Sequence, residues 1–135
     1  MIKVSKLADY AVVVLATLAR SENGLMTAPA ISAQSGLPEP TVAKVLKLLA
    51  KEDILQSARG ASGGYKLLAP PGEISIAKIV SAVDGPISLT ACVAGSSETC
   101  GYEGRCAVKG RWNGVNHAIR QALENVTLAD MGVRP

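Results

Sequence analysis

The sequence predicts a mainly α-helical protein with a small β-hairpin, and three observations support this class. Apolar residues recur at helical spacing through most of the chain. A glycine-rich stretch, residues 58–64, lies between two short runs of the kind that pair as strands. The cysteines all fall within residues 92–106, a loop rich in Gly and Ser that has no hydrophobic periodicity. The chain therefore divides into a helical half with a hairpin, a cysteine loop and a last helix.

The composition predicts one domain-sized unit with an aliphatic core. The chain has 135 residues, 48% of them hydrophobic, with no Phe and one Trp, which is enough apolar material for a core of Val, Leu, Ile and Ala. No apolar run approaches the roughly 20 residues of a membrane span, and the N-terminus lacks signal-peptide features. We therefore expect a cytoplasmic protein without a membrane partner. The net charge of +3 permits a nucleic-acid partner without requiring one.

The first two helices are predicted from periodicity and capping residues. Ser5 is suited to cap a helix whose apolar positions run through residues 7–18. A short second helix is expected from about Thr27, as N-cap, to Ser35. Gly36 then ends it in the left-handed conformation.

The third predicted helix begins near Pro38 or Pro40, ends at about Lys51 and carries a basic stripe. Its apolar face consists of Val42, Val45, Leu46 and Leu49. The opposite face carries Thr41, Lys44, Lys47 and Lys51. Two short helices joined by a few residues that include Gly, the second helix basic, match a helix-turn-helix with its recognition helix. A solvated lysine surface is the alternative interpretation.

A predicted hairpin follows directly, with strands at residues 54–57 and 65–68. A hairpin after a helix-turn-helix is the wing of a winged helix, so residues 1–72 are predicted to form a winged helix-turn-helix DNA-binding domain. Arg59 at the tip is suited to a minor groove, and Gly60 allows close backbone approach to a phosphate. The glycine run is a poor nucleotide loop because it lacks the G-K-[ST] ending and lies between strands.

The remaining residues predict a linking helix with the cysteine loop (73–107) and a long dimerisation helix with a C-terminal turn (108–135). Ser75 is suited to cap the linking helix. The last helix has apolar residues alternately four and three positions apart, which is the spacing of a narrow coiled-coil seam. They are Val108, Trp112, Val115, Ile119, Ala122 and Val126. This seam predicts a homodimer, and packing on the chain's own first helix is the alternative.

The cysteine loop is the strongest chemical signal. Cys92, Cys100 and Cys106 lie in a segment with few side chains to bury, so something else is expected to order it. Clustered thiols in a reducing compartment indicate metal or redox chemistry rather than a disulfide framework. Because three is an odd number, intrachain disulfides could not pair all of the cysteines. The leading candidate is a metal centre. An enzyme is not expected, because the one histidine, His117, has no evident acidic or thiol partner.

With the helix-turn-helix, the Arg59-Gly60…Gly63-Gly64-Tyr65 wing and the three-cysteine loop in view, the chain resembles the winged-helix transcription regulators of the Rrf2 type. These include IscR-like, NsrR-like and RirA-like members. Residues 118–131 are especially similar to the branch that controls Suf-type iron–sulfur cluster assembly. The resemblance implies a homodimeric regulator that binds operator DNA, and we expect it to be a repressor of iron–sulfur assembly genes. It also implies an iron–sulfur cluster held by the three cysteines, with a DNA affinity that depends on the cluster.

The resemblance also raises the question of the fourth ligand. IscR-like members place a histidine three residues after the last cysteine, and here Lys109, a protonated and poor ligand, stands there. The fourth iron site is either open, as RirA-like members suggest, or filled by Asp9 of the partner subunit, since residues 7–11 resemble NsrR-like chains. Otherwise Asp9 is an ordinary first-turn carboxylate. Three thiolates and one weak ligand favour [4Fe–4S] over [2Fe–2S]. Zinc is less favoured because no tight C-x2–4-C pair is present.

Two further functions stay open beside a regulator of iron–sulfur assembly genes. One is a nitric-oxide-responsive regulator of the NsrR kind. The other is a metal- or redox-handling protein that binds no DNA, in which the basic helix is only a solvated surface. A steep salt dependence of DNA binding would distinguish the regulators from the last of these.

Overall fold

The computed structural model of the protein describes residues 2–60 and 63–132. Its helices and strands are α1 (Lys6–Ala19), α2 (Ala28–Ser35), α3 (Glu39–Lys51), β1 (Leu55–Ala58), β2 (Gly64–Leu67), α4 (Ile76–Asp84) and α5 (Trp112–Glu124). Short 3₁₀ turns lie at Pro71–Glu73 and Ala129–Met131. Residues 61–62 of the predicted hairpin turn, and residues 1 and 133–135 at the ends of the predicted segments, lie outside the described residues. The predicted class, mainly α with a small hairpin, is confirmed.

The predicted helix caps are confirmed. Ser5, Thr27 and Ser75 precede α1, α2 and α4, and each hydroxyl accepts the backbone N–H three residues on, at 3.0, 3.3 and 3.1 Å respectively. These bonds satisfy donors that the first helical turn leaves without a partner. Gly36 ends α2 with φ 81°, a conformation that glycine adopts without steric cost.

The core is aliphatic and lies where α1, α3 and α4 meet. The largest side chains that it fully buries are Leu15, Leu18, Ile31, Leu46, Leu49, Ile54, Leu55, Ile79 and Leu128. Leu128 comes from the segment after α5, so both halves of the chain contribute to one core. This shared core fixes the helix-turn-helix rigidly, since packed interiors resist small displacements.

The hairpin is antiparallel, with Leu55 opposite Leu67 and Ala58 opposite Gly64. Each strand is displaced by one residue from the predicted range. Tyr65 also exchanges two backbone hydrogen bonds with Met26, at 2.7 and 3.1 Å. The wing is therefore tied to the segment that leads into α2.

The last helix is shorter than predicted at its N-terminal end. Residues 106–111 form turns instead of helix, and Gly110 adopts φ 74°. A left-handed residue interrupts the helical hydrogen-bond ladder, so α5 begins only at Trp112. Val108 therefore lies outside the helix and is half exposed.

The C-terminal end of α5 is attached to the core by a short backbone bridge. Ile76 N–H donates to the Val126 carbonyl, and Leu128 N–H donates to the Ile74 carbonyl, both at 2.8 Å. Val126 thus leaves the predicted seam and joins this bridge. Because Leu128 is fully buried, the bridge fixes the end of α5 to the helix-turn-helix.

We expect Gly64→Ala to destabilise the fold. Gly64 has φ 145°, and a Cβ there would lie 2.5 Å from the Met26 carbonyl oxygen. The strain should lower the free energy of unfolding by about 1–3 kcal/mol, measured by urea denaturation. The matched control is Gly72→Ala, where a Cβ would meet no described atom within 4 Å. An equal effect of both substitutions would contradict the close approach of the wing to Met26.

Candidate DNA interface and metal centre

The basic face of α3 lies in solvent, opposite its buried face. Lys44 and Lys47 are exposed and Thr41 is half-buried. On the other side Val42, Val45, Leu46 and Leu49 are fully buried. Burial of that face fixes the rotation of α3 about its axis, so the lysines are held outward, as a recognition helix requires.

The structure adds a residue of α1 to this surface. Lys6 and Tyr10 line one shallow groove together with Pro40, Thr41 and Lys44 of α3. Lys6 is the first helical residue after the Ser5 cap. A lysine at the start of this helix could have been counted with the basic residues of the third helix, and the sequence analysis did not include it. The basic surface therefore extends across two helices.

The wing presents Arg59 beside the end of β1. Arg59 and Gly60 are both exposed, and Gly60 has φ 103°. Gly63 N–H donates to the Gly60 carbonyl at 2.9 Å, which closes the turn locally. Arg59 forms no ion pair with any described residue, so its guanidinium is available to a phosphate or a groove.

The three cysteines are free thiols with different surroundings. Cys92 and Cys100 are half-buried, and Cys106 is exposed. The Thr90 hydroxyl lies 3.2 Å from the Cys92 sulfur. Within residues 2–60 and 63–132, no three His, Cys, Asp or Glu side chains are grouped closely enough to hold a metal ion. The structure therefore does not bring the predicted ligands together, although three thiols remain the right donors for iron or zinc.

The second part of the cysteine loop is held only by local contacts. Between residues 98 and 109 the hydrogen bonds of the described atoms all join near neighbours, such as Arg105 N–H to the Tyr102 carbonyl at 3.0 Å. Tyr102 is 82% exposed. With so few buried contacts, this part of the loop can rearrange at little cost.

The first part of the loop is instead bonded to α5, through residues that the sequence analysis missed. Asn116 Oδ1 accepts from Leu89 N–H at 2.8 Å, and its Nδ2 donates to the Ile87 carbonyl at 3.0 Å. Asn113 Oδ1 accepts from Ala94 N–H at 2.8 Å. Asparagine is a poor helix former, so two of them three positions apart in a helix were a weak signal of a tertiary role.

Three other residues that the sequence analysis raised, Lys109, Asp9 and His117, lie on the surface. Lys109 Nζ is 3.8 Å from Glu103 Oε1, and both side chains are about half exposed, so this ion pair is weak. Asp9 is exposed in the first turn of α1. His117 is exposed on α5. None of the three lies in a preformed metal site among the described residues.

These features define a class of protein. A helix-turn-helix with an outward basic helix, followed by a hairpin with an exposed arginine at its turn, is a winged-helix DNA-binding module. No helix of the described residues is long and apolar enough to cross a membrane.

The comparison with protein families identifies the particular family. The model of the Rrf2 family, described as iron-dependent transcriptional regulators, matches residues 4–133. The chain therefore belongs to the Rrf2 family and is a DNA-binding transcriptional regulator, not an enzyme. The resemblance to Rrf2-type regulators inferred from the sequence is confirmed at the level of the family, and the interpretation without DNA binding is set aside.

Individual relatives agree with this assignment. An rrf2-like HTH-type transcriptional regulator of Rhodobacter capsulatus is 32% identical over 110 residues, covering 78% of this chain and 73% of that protein. IscR of Serratia proteamaculans is 29% identical over 123 residues, covering 90% and 74%.

Solved structures share the whole fold. CymR, the global cysteine regulator of B. subtilis, has a TM-score of 0.74 at 26% identity, covering 97% of this chain and 96% of that chain. IscR of T. potens has a TM-score of 0.71 at 28% identity, covering 96% and 85%.

We expect Lys44→Ala and Lys47→Ala to reduce the salt dependence of binding to nonspecific duplex DNA. Each phosphate contact that is lost should make the plot of log K against log salt concentration shallower by about 0.9. Fluorescence anisotropy over a range of salt concentrations measures this slope.

The matched control for the lysine variants is Lys78→Ala. Lys78 lies on α4 in a cleft with Arg120 and Glu124, and it does not line the groove formed by α1 and α3. Its removal should leave the slope unchanged. An equal change of slope in all three variants would contradict the assignment of α3 as the DNA-binding helix.

Proposed function

We propose that the protein is a homodimeric repressor of iron–sulfur cluster assembly genes of the suf type, and that its DNA affinity depends on an iron–sulfur cluster. Cys92, Cys100 and Cys106 are the proposed ligands. The observation that carries the proposal is the loop itself. It carries one free thiol, Cys92, in the part bonded to α5 and two, Cys100 and Cys106, in the part with local contacts only. The family's description as iron-dependent supports the choice of metal.

The chemistry of the donor set fits a cluster. Thiolates are the usual protein ligands of iron–sulfur clusters, and three of them leave one iron for a weaker ligand. This favours [4Fe–4S] over [2Fe–2S]. Zinc is less favoured because the cysteines lack the close spacing of structural zinc sites. When bound, the cluster would make the protein sensitive to its surroundings, because iron limitation or oxidants can remove iron from the cluster. The chain's own part is to gather the three thiols and to order the loop around them.

The proposed DNA contacts follow from exposure and charge. Thr41, Lys44 and Lys47 are assigned to the major groove and its phosphates, as the outward side chains of a recognition helix. Arg59 is assigned to the minor groove, whose negative potential favours a planar cation. Gly60, with its exposed backbone, is assigned to a phosphate contact.

The proposed dimer contact is the exposed apolar strip of α5. Trp112 and Val115 are 43% and 45% exposed. Ala122, about two turns further along the helix, is also exposed, and Ile119 between them is half-buried. α5 packs on α4 and leaves these side chains in solvent, so packing within the chain does not account for them. Large exposed apolar side chains in one row are typical of an interface between helices.

Asp9 of the partner subunit is the proposed fourth ligand, and an open iron site is the alternative. The side chain is exposed and forms no hydrogen bond or ion pair with the described residues. It is therefore available to a second chain. NsrR-like chains carry a ligating aspartate at this point, so an Asp9 ligand fits a nitric-oxide-responsive regulator as well as a regulator of cluster assembly.

We expect Asp9→Ala to hasten cluster loss while leaving the thiol ligands intact. The anaerobically reconstituted protein is assayed for iron and sulfide, and its absorbance is followed after a chelator is added. Glu22→Ala, which removes an exposed carboxylate after α1, is the control. A loss rate equal to wild type would remove Asp9 from the site and leave the open-site alternative.

We expect Val115→Asp to convert the proposed dimer to monomers, because it places a charge in the apolar strip. Sedimentation velocity of the purified protein measures the assembly. Gln121→Asp adds the same charge to an exposed position of α5 outside the strip and should leave the dimer intact. A wild-type protein that sediments as a monomer would overturn the proposed assembly.

A further inference from the structure

The polar strip of α5 holds one end of the cysteine loop at a fixed place. Asn113, Asn116 and Arg120 are spaced three and four residues apart, so they share one face of the helix. All three side chains bond to the backbone of residues 87–94. This face is distinct from the apolar strip proposed for dimer contact.

Asn116 is the central member of the polar strip. It is 3% exposed, and both ends of its amide are used, on the Leu89 N–H and the Ile87 carbonyl. The donor and acceptor lie two residues apart on an irregular segment, so the side chain acts there as a strand partner would. The Ile87 carbonyl also accepts from Arg120 Nη2 at 3.4 Å. A buried amide that is bonded through both its oxygen and its nitrogen defines one arrangement of the loop on the helix.

Asn113 adds a hydrogen bond between α5 and the loop on the other side of the first cysteine. It accepts from Ala94 N–H, two residues after Cys92, and Val93 between them is 4% exposed. The bonds of Asn116 and Asn113 therefore lie on either side of Cys92 along the chain. The Cys92 sulfur is further approached by the Thr90 hydroxyl at 3.2 Å.

Among the described residues, the other two thiols have no such support, and the hydrogen bond at the Cys100 carbonyl, from Glu103 N–H at 3.4 Å, is a local turn. Near Cys106, the Lys109 N–H donates to the Cys106 carbonyl at 3.4 Å, which is a local turn. Cys106 is exposed. Of the three proposed ligands, only Cys92 is thus bracketed by side chains of a regular element.

The polar and apolar strips are coupled because they belong to one rigid helix. Asn113 directly follows Trp112 in the sequence, and Asn116 directly follows Val115. One position corresponds to a rotation of about 100° in an α-helix. Any force that the loop exerts on the first strip therefore turns or tilts the second.

We propose that Asn113 and Asn116 are positioning residues that fix the Cys92 thiol on α5. Cys100 and Cys106 then close towards a fixed point, and the closure is transmitted to the helix that carries the proposed dimer contact. This inference rests on the proposed cluster function for its purpose. The fixed position of Cys92 is a property of the protein without metal and is tested there.

The first experiment measures alkylation of each thiol by iodoacetamide in the metal-free protein, with peptide mass spectrometry. In the wild type, Cys92 should react more slowly than Cys106. Asn113→Ala should raise the Cys92 rate about threefold to tenfold, the factor expected when one hydrogen bond is lost from a local opening equilibrium. Asn113→Asp, which keeps the accepting oxygen, should restore the slow rate. The rate of Cys106 should not change.

Asn125→Ala is the matched control for alkylation. Asn125 lies just after α5 and its side chain makes no hydrogen bond with the described residues. Thermal melting of every variant accompanies the labelling. Asn113 carries the test because its exposed side chain can be removed without opening the core. An unchanged Cys92 rate in Asn113→Ala, or an equal rise at Cys92 and Cys106, would overturn the proposal.

The second experiment tests the link to the cluster. Asn113→Ala, reconstituted with ferrous iron and sulfide, should lose its absorbance to a chelator several-fold faster than wild type and Asn113→Asp. Equal loss rates would overturn the positioning role. If the wild type binds neither iron nor sulfide, the proposed cluster function fails, and the alkylation rates still decide whether Cys92 is fixed by α5.

Discussion

The position of α5 depends more on polar and backbone bonds than on apolar burial, since Leu123 is the one described side chain of α5 that packs against the core and it is only partly buried. Of its described residues, only Asn116 is buried. The bridge between residues 74–76 and 126–128 attaches one end of the helix, with Leu128 inserted in the core. The asparagines attach its other half to residues 87–94. Because so little apolar surface holds α5 in place, small changes in the loop can alter its orientation.

The DNA-binding half is built in the opposite way. α1, α3 and α4 share a dense aliphatic core, and the wing is fixed to the segment before α2 by the bonds between Met26 and Tyr65. A rigid winged-helix module keeps a constant spacing between the lysines of α3 and the arginine of the wing. A change that regulates DNA binding is therefore expected in α5 and the cysteine loop, which the core does not hold rigidly.

The sequence predicted best the features whose causes are local. Ser5, Thr27 and Ser75 cap their helices through bonds to N–H groups three residues away, so the signal lies within one turn. The seam predicted from Val108 to Val126 was too long because apolar spacing continues past the true ends of the helix. Gly110 and the bridge to Ile76 set those ends. The Asn116 contacts were not predictable, since their partners lie 27 and 29 residues away.

The arrangement of α4 connects the two halves. α4 packs against α1 and α3 on one side and against α5 on the other, and its first residue also receives the backbone bridge at Val126. A tilt of α5 about the Leu128 anchor therefore acts on α4 before it reaches the recognition helix. In the proposed dimer joined through α5, such a tilt would change the relation between the two recognition helices without disturbing either core. DNA affinity would then change because the distance between the two recognition helices changes, while each winged-helix module keeps its own structure.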